Sequence, residues 1–147
     1  MGAIVVEDAF WGDGGKGLVS AYYALYSEAL MCLRGCGGSG AEHGMFIGNT
    51  YLKTNQLPLG FLLKQCPVGI GPGTTVDPVK LMFEARKFNL KPKDIRIDYQ
   101  CPIITQEDIE EEIKNSNMKS IGSTKSGKFM ISKSYYIRSK IVHYFNC

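Results

Sequence analysis

The sequence predicts an α/β protein in which helices flank a mostly parallel sheet, with a P-loop-like glycine turn after the first strand and a small β-hairpin. Three observations support this fold class. A short apolar run at residues 3–6 is typical of a buried parallel strand, and a glycine-rich turn at residues 12–17 follows it. Residues 18–30 place apolar side chains at helical spacing, and residues 29–33 form a second apolar run. This order of strand, turn, helix and strand predicts a βαβ unit.

The middle of the chain contains a hairpin signal and a helix start. Gly48-Asn49 separates apolar runs at 45–47 and 50–52 and is a turn pair that accepts positive φ, which predicts the hairpin. A further strand is predicted at 65–70. Asp77 is placed to cap a helix that opens with Pro78 and continues to about residue 88.

The last third of the chain is predicted from shorter signals. Thr105 and Asp108 resemble a capping box, although Asp stands where Glu or Gln is preferred, and they begin an acidic helix that runs to about Lys114. The remaining predictions are short strands at 95–97 and 102–104, a Ser-, Gly- and Lys-rich loop at 115–128, and a helix at 132–144.

Length and composition exclude several classes of protein. The 147 residues are of single-domain size, and 44% hydrophobic with 21% charged residues excludes a disordered or collagen-like chain. Every apolar stretch is much shorter than the ~20 residues that cross a bilayer. The five cysteines are odd in number and irregularly spaced, which favours reduced thiols. No secretory signal is visible, so we expect a cytoplasmic protein without a membrane partner.

Charge is distributed unevenly along the chain. Residues 1–113 carry 10 Lys and Arg and all 14 acids, whereas residues 114–147 carry 7 Lys and Arg and no acid. We therefore treat residues 1–147 as one α/β domain with a basic tail at 114–147. Such a tail can hold a phosphate or an acidic surface, or it can be a solvated face. No recognition helix or aromatic platform accompanies it, so no nucleic acid partner is expected.

Residues 11–17, Trp-Gly-Asp-Gly-Gly-Lys-Gly, are the strongest functional signal. Glycines free the backbone amides, and the amides, a lysine and the positive end of the following helix form a cradle for an anion such as phosphate. The spacing differs from that of a Walker A loop. Asp13 inside such a cradle is consistent with a general base or with a metal-bridged phosphate. From the pattern alone, nucleotide binding and a tight structural turn remain open alternatives.

Residues 10–17 resemble the Gln-Trp-Gly-Asp-Glu-Gly-Lys-Gly signature of the adenylosuccinate synthetase family. Further segments resemble the family in the same order. They are a glycine-rich stretch that ends in His43-Gly44, Gln56-Leu57-Pro58-Leu59-Gly60, Gly69-Ile70-Gly71, Val76-Asp77-Pro78, Ile97-Asp98-Tyr99-Gln100-Cys101 as in the compact archaeal-type branch, and Ile121-Gly122-Ser123-Thr124. Family members are much longer, so the resemblance implies that this chain is the N-terminal portion of a larger enzyme.

The resemblance implies a ligase of purine biosynthesis. Such an enzyme joins aspartate to a 6-oxopurine nucleoside monophosphate, with GTP or ATP as phosphate donor, through a 6-phosphoryl intermediate. By resemblance, Asp13 takes the N1 proton of the purine and His43 supports the oxygen that attacks the γ-phosphate. This division of work suits a carboxylate and an imidazole. Lys16 and the amides of Gly15 and Gly17 would hold the phosphoryl group.

The resemblance also implies further binding residues. Ser123 and Thr124 would hold the nucleotide phosphate, and Arg138 would reach the nucleotide of the other subunit in a homodimer. Mg²⁺ is the implied cofactor. Its implied contacts are Asp13 and Glu42, the latter at the position whose backbone carbonyl helps to bind the metal in the family. The remaining nucleotide-binding positions by resemblance are Gly12, Gly14 and Gly40.

Three departures from the family pattern leave alternatives open. Gly14 replaces a Glu of the signature, Gly40 replaces an Asn, and Glu42 replaces a Gly. A carboxylate at Glu42 could accept hydrogen bonds from the 2-amino group of a guanine, which favours dGMP as substrate, as in the phage branch that makes 2-aminoadenine nucleotides. Glu42 could equally be an exposed loop acid. A truncated, non-catalytic nucleotide-binding module is the third alternative.

Overall fold

The computed structural model describes residues 2–9 and 14–114. The described residues form strands β1 (Cys32–Gly37), β2 (His43–Ile47), β3 (Thr50–Thr54), β4 (Val68–Thr74) and β5 (Ile95–Ile97). They also form helices α1 (Lys16–Tyr26), α2 (Phe61–Lys64), α3 (Pro78–Lys87) and α4 (Gln106–Lys114), with a 3-10 turn at Pro92–Asp94.

The main sheet is parallel and has the strand order β1-β4-β5. Cys32 pairs with Val68, and Val68 pairs with Ile95, so β4 is the central strand. The register of β1 shifts between Arg34 and Cys36, which marks a bulge. Helix α3 connects β4 to β5, as parallel strands require a long crossover. The predicted mixed fold with a parallel sheet and flanking helices is therefore confirmed.

The hairpin forms where the sequence predicts it. Strands β2 and β3 pair antiparallel with Ile47 opposite Thr50, and Gly48 in the turn has φ +58°. A residue with a side chain is strained at that φ, and glycine adopts it without this strain. The hairpin carries His43 at its first residue, which fixes the position of this side chain relative to α1.

Two predicted helix starts are confirmed by their capping bonds. Asp77 Oδ1 accepts hydrogen bonds from the amides of Val79 and Lys80, both at 3.1 Å. Thr105 Oγ1 accepts from the Asp108 amide at 3.3 Å, and Asp108 Oδ2 accepts from the Thr105 amide at 2.8 Å. Asp therefore completes a capping box as Glu does elsewhere.

The predicted strand at residues 3–6 is wrong. Those residues have no strand pairing, and Ile4 and Val5 are 55% and 76% exposed. A cavity of about 620 Å³ lies among residues 3–7, α1 and β1. Paired strands lie about 4.8 Å apart, whereas residues 3–7 line this space and do not pair with β1. Within the described residues, the predicted βαβ unit before residue 33 therefore lacks its first strand.

Other element boundaries differ by a few residues. Helix α1 ends at Tyr26 rather than near residue 30, and Glu28 takes a positive φ of 51° before β1 begins at Cys32. The run at 102–104 makes only an isolated parallel bridge, between Ile103 and Val76. The predicted loop at 115–128, the helix at 132–144 and all of the basic tail beyond Lys114 lie outside the described residues.

The core lies between the sheet and the α2 and α3 side of the fold. Its buried members are Leu57, Phe61, Val68, Ile70, Val76, Leu81 and Cys101. A smaller cluster of Ala21, Met45 and Leu59 joins α1 to the hairpin. Burying each large aliphatic side chain contributes about 1.5–3 kcal/mol, so these clusters fix α1 and β2 against each other. Within residues 2–9 and 14–114, no helix is long and apolar enough to cross a membrane.

Candidate active site

The glycine turn ends at Gly15, which precedes the first residue of α1. Gly15 has φ +71°, and no side chain of the described residues caps the helix there. The amides of the first turn therefore retain donor capacity beside the positive end of the helix dipole. Lys16 follows at the first position of the helix, and its ammonium forms an ion pair with Asp8.

His43 lies against this end of α1. A Cβ at Gly17 would come within 2.8 Å of His43 Nδ1, so the ring packs directly on the glycine. Burial lowers the pKa of His43, and the positive charges of Arg34 and Lys16 lower it further. A neutral imidazole is favoured near neutral pH, and it can accept or donate one hydrogen bond at each nitrogen. The structure thus brings Lys16, Gly17 and His43 together.

Arg34 supports the glycine-rich stretch between β1 and β2. Its guanidinium is buried and donates to the backbone carbonyls of Gly38 at 3.1 Å and Cys36 at 3.4 Å, and to that of Asn55. Burial lowers the pKa of Arg34, and the negative charge of Glu84 opposes that shift. The side chain therefore joins the loop before His43 to the loop after β3.

Glu84 in α3 binds the backbone of the loop that follows β3. Its buried carboxylate accepts hydrogen bonds from the amides of Gln56 at 3.1 and 3.2 Å and of Leu57 at 3.0 Å, and from that of Asn55. Sequence reasoning missed Arg34 and Glu84 as supports of the site. An acid at a buried helix position within α3 was the available signal for Glu84.

Asp8 is a further residue that sequence reasoning missed. Its carboxylate oxygen Oδ2 accepts from the Gly14 amide at 3.2 Å and from Lys16 Nζ at 2.6 Å. The side chain of Asp8 is 6% exposed and that of Lys16 is 36% exposed, so solvent reaches the ion pair only from the lysine side. The available signal for Asp8 was its position as an acid between the apolar run at residues 3–6 and the glycine cluster that begins at residue 12.

Glu42 and Gly40 lie at the surface of the loop before β2. Glu42 Oε2 accepts a hydrogen bond from Lys53 Nζ at 2.9 Å, and both side chains are exposed. The described residues contain no group of three or more His, Cys, Asp or Glu that could hold a metal ion. Five predicted site residues lie outside the described residues, namely Gly12, Asp13, Ser123, Thr124 and Arg138.

Lys16, Gly17, Arg34 and His43 all contribute to the lining of the 620 Å³ cavity beside β1. Its volume is within the range of small-molecule sites, and its mainly apolar lining includes the cationic Lys16 and the imidazole of His43. These are groups that bind and stabilise anionic oxygens. The arrangement is suited to a phosphate-bearing ligand.

Comparison with known proteins identifies the family. The family model for adenylosuccinate synthetase matches residues 5–142. The chain belongs to the adenylosuccinate synthetase family. The resemblance drawn from the motifs is therefore confirmed over nearly the whole chain.

Relatives in this family come from archaea and bacteria. The adenylosuccinate synthetase of Pyrococcus sp. (strain ST700) is 36% identical over 131 residues, covering 86% of this chain and 38% of the relative. That of Staphylococcus aureus (strain N315) is 33% identical over 135 residues, covering 86% of this chain and 31% of the relative. The chain thus spans less than two fifths of the length of these adenylosuccinate synthetases.

Solved structures share the fold. The cyanophage S-2L succinoaminodeoxyadenylate synthetase, solved with dGMP and with dATP as energy donor, matches with a TM-score of 0.70 and 23% identity over 89% of this chain and 37% of its own. The Plasmodium falciparum adenylosuccinate synthetase matches with a TM-score of 0.66 and 22% identity, covering 88% and 31%. The α/β architecture is therefore that of adenylosuccinate synthetase-like proteins.

Proposed function

We propose that this chain supplies the phosphate-binding and proton-transfer residues of a purine nucleotide–aspartate ligase. The reaction joins aspartate to a 6-oxopurine nucleoside monophosphate and consumes GTP or ATP. The observation that supports it best is the packing of His43 on Gly17, in the first turn of the helix that Lys16 begins. The contact supports the proposal because it brings an imidazole next to the glycine turn and Lys16 in a member of the adenylosuccinate synthetase family.

In this proposal Lys16 and the amides of Gly15 and Gly17 hold the phosphoryl group that is transferred. Their positive potential stabilises the charge on its oxygens as the leaving group departs. His43, neutral at the pH of the reaction, donates a hydrogen bond to the purine oxygen as that oxygen attacks. Asp13 removes the N1 proton of the purine, which makes the oxygen more nucleophilic.

The remaining family residues complete the proposed site. Ser123 and Thr124 bind the nucleotide phosphate. The enzyme is a homodimer in which Arg138 of one subunit reaches the nucleotide bound to the other. We place this homodimer in the cytoplasm. The described residues do not by themselves form a Mg²⁺ site, since Asp8 is bonded within the turn and Glu42 is paired with Lys53. Mg²⁺ binding at Asp13 and Glu42 stays a prediction, and we derive no step through the ion.

Binding and turnover test this proposal separately. Calorimetric titration of the 147-residue chain with IMP is expected to show weak binding, because the relatives contribute much more chain to their sites. Lys16→Ala is expected to weaken that binding about tenfold or more, since a charge-assisted contact is lost. Lys93→Ala, an equal charge change on the exposed 3-10 turn, serves as the matched control. Equal affinity in the Lys16 and Lys93 variants would contradict the proposed phosphate site.

A phosphate-release assay with purine nucleotide, GTP or ATP, Mg²⁺ and aspartate measures turnover. Release that depends on all four components supports the ligase. Nucleotide binding without release identifies a non-catalytic module instead.

We propose dGMP as the alternative substrate because Glu42 lies at the surface directly before His43, and a structural neighbour was solved with dGMP. Lys53 holds the Glu42 carboxylate, so a guanine amino group would share that acceptor. Titration with dGMP and IMP in parallel tests the alternative. A preference for dGMP that disappears in Glu42→Gln supports it, and a preference for IMP in both forms contradicts it.

A further inference from the structure

The carboxylate of Asp8 occupies the glycine turn from within the chain. Its Oδ2 accepts from a backbone amide, that of Gly14 at 3.2 Å, and from an ammonium, that of Lys16 at 2.6 Å. An amide and an ammonium that converge on one anionic oxygen make the arrangement with which helix-end turns bind phosphate. Asp8 therefore holds Lys16, which the proposed function assigns to a phosphoryl group, together with the amide of Gly14 in the same turn.

The glycine at position 14 is matched to this carboxylate. A Cβ added at Gly14 would overlap both carboxylate oxygens of Asp8, which are its nearest neighbours. The signature that the turn resembles has Glu at this position, whereas here the carboxylate of Asp8 lies where a side chain of residue 14 would begin. The carboxylate of Asp8 therefore fits in its place only because residue 14 is a glycine. We call Asp8 and Gly14 a matched unit.

We propose that Asp8 is an internal anion of the glycine turn, which holds Lys16 in the ligand-free chain and competes with phosphate for the Gly14 amide and the Lys16 ammonium. The inference rests on the proposed function in placing phosphate at this turn. Two anions repel each other within a few ångströms, so an incoming phosphate displaces Asp8 or binds against its charge.

Inorganic pyrophosphate is the probe that tests the competition. Asp8→Asn keeps the size of the side chain and an acceptor for the Gly14 amide but removes the charge at Lys16. We expect Asp8→Asn to bind pyrophosphate about tenfold more tightly than the unmodified chain at constant ionic strength. Glu111→Gln removes the same charge from the exposed face of α4 and is the control, with unchanged affinity.

The direction of the change separates competition from a structural role. A residue that merely supports the turn would weaken pyrophosphate binding when replaced. Unchanged or weaker binding by Asp8→Asn overturns the inference.

A second measurement checks the contact without any ligand. Gly14→Ala is expected to lower Tm by about 4 to 10 °C in the unmodified chain, because the new methyl group overlaps Asp8. The same substitution in an Asp8→Gly background is expected to leave Tm nearly unchanged. Equal losses of Tm in the two backgrounds overturn the matched unit of Asp8 and Gly14.

Failure of this inference differs from failure of the proposed function. The pyrophosphate titration contains no purine, aspartate or triphosphate, so tighter binding by Asp8→Asn stands even where no ligase activity is found. Nucleotide binding that requires Lys16 but is weakened by Asp8→Asn retains the proposed phosphate site and overturns only the competition.

Discussion

The imidazole of His43 lies against the α-carbon of Gly17, with Nδ1 only 2.8 Å from the position that a Cβ at Gly17 would take. This contact joins the first residue of β2 to the first turn of α1. The cluster of Ala21, Met45 and Leu59 supports it from the apolar side. The distance between the ring and the helix-end amides is therefore set by core packing.

Gly17→Ala is expected to destabilise the chain, although alanine in a helix is ordinarily about 1 kcal/mol more favourable than glycine. The added methyl group meets the His43 ring and its Cβ at 2.8 and 3.0 Å, which forces a shift. Overpacking of this kind costs roughly 1–3 kcal/mol. Chemical denaturation measures the difference in the free energy of unfolding. In a His43→Gly background, which removes both the ring and the Cβ, the sign reverses and Gly17→Ala stabilises; a loss in both backgrounds would contradict the contact.

Stability is expected to fall as the pH falls below 6.5, in part because of His43. Burial, followed by the charges of Arg34 and Lys16, lowers the pKa of His43 in the folded chain. Between that lowered pKa and the ordinary value of about 6.5, the unfolded chain binds more protons than the folded chain. The free energy of unfolding therefore rises with pH in this window. Thermal denaturation from pH 5 to 8 should show a smaller slope for His43→Asn, and an identical slope would contradict the assignment.

Glu84→Gln is expected to lower the free energy of unfolding by about 1–3 kcal/mol. The carboxylate accepts from the amides of Gln56 and Leu57, and an amide group replaces one of its acceptor oxygens with a donor. Urea denaturation provides the measurement. Glu107→Gln on the exposed side of α4 is the control and should change stability by less than about 0.5 kcal/mol. Equal effects of the two substitutions would refute the role of Glu84.

Cys36 is expected to react first among the four cysteines within residues 2–9 and 14–114. It is exposed, whereas Cys32, Cys66 and Cys101 are buried. Burial and the hydrogen bond with Cys66 raise the pKa of Cys32 to about 12, and burial raises that of Cys101. Because the thiolate is the nucleophile, alkylation by iodoacetamide at pH 8 should modify Cys36 before these residues. Peptide mass spectrometry gives the order, and early labelling of Cys32 would contradict it.

The sequence predicted those features that depend on local chemistry. The Asp77-Pro78 helix start, the Gly48-Asn49 hairpin and the Thr105–Asp108 capping box each require a few neighbouring residues, and each is present. The assignment of Lys16 and His43 to one site came from the family resemblance, since no local pattern relates residues that are 27 positions apart, and their roles stay predictions. The roles of Asp13, Ser123, Thr124 and Arg138 stay predictions.

Tertiary features were predicted less well. An apolar run at residues 3–6 has the composition of a buried strand, but strand formation depends on a partner edge, and the cavity separates this run from β1. Arg34 and Glu84 were missed because their partners are backbone groups, which carry no sequence signal. Asp8 was missed for the same reason, because one of its partners is the backbone amide of Gly14.

The bulge between Arg34 and Cys36 has a consequence for the behaviour of the protein at high concentration. Strand β1 is an edge of the parallel sheet among the described residues, and Leu33 on it is 59% exposed. An exposed sheet edge that is long and regular is a template for pairing between molecules. The regular part of the ladder between β1 and β4 spans only Cys32 to Arg34, because β4 has one residue more than β1 between the pairs Arg34–Ile70 and Cys36–Gly73. A bulge of this kind increases the local twist, so the flat part of the edge is short. We therefore expect this edge of the sheet to be a poor template for pairing between molecules.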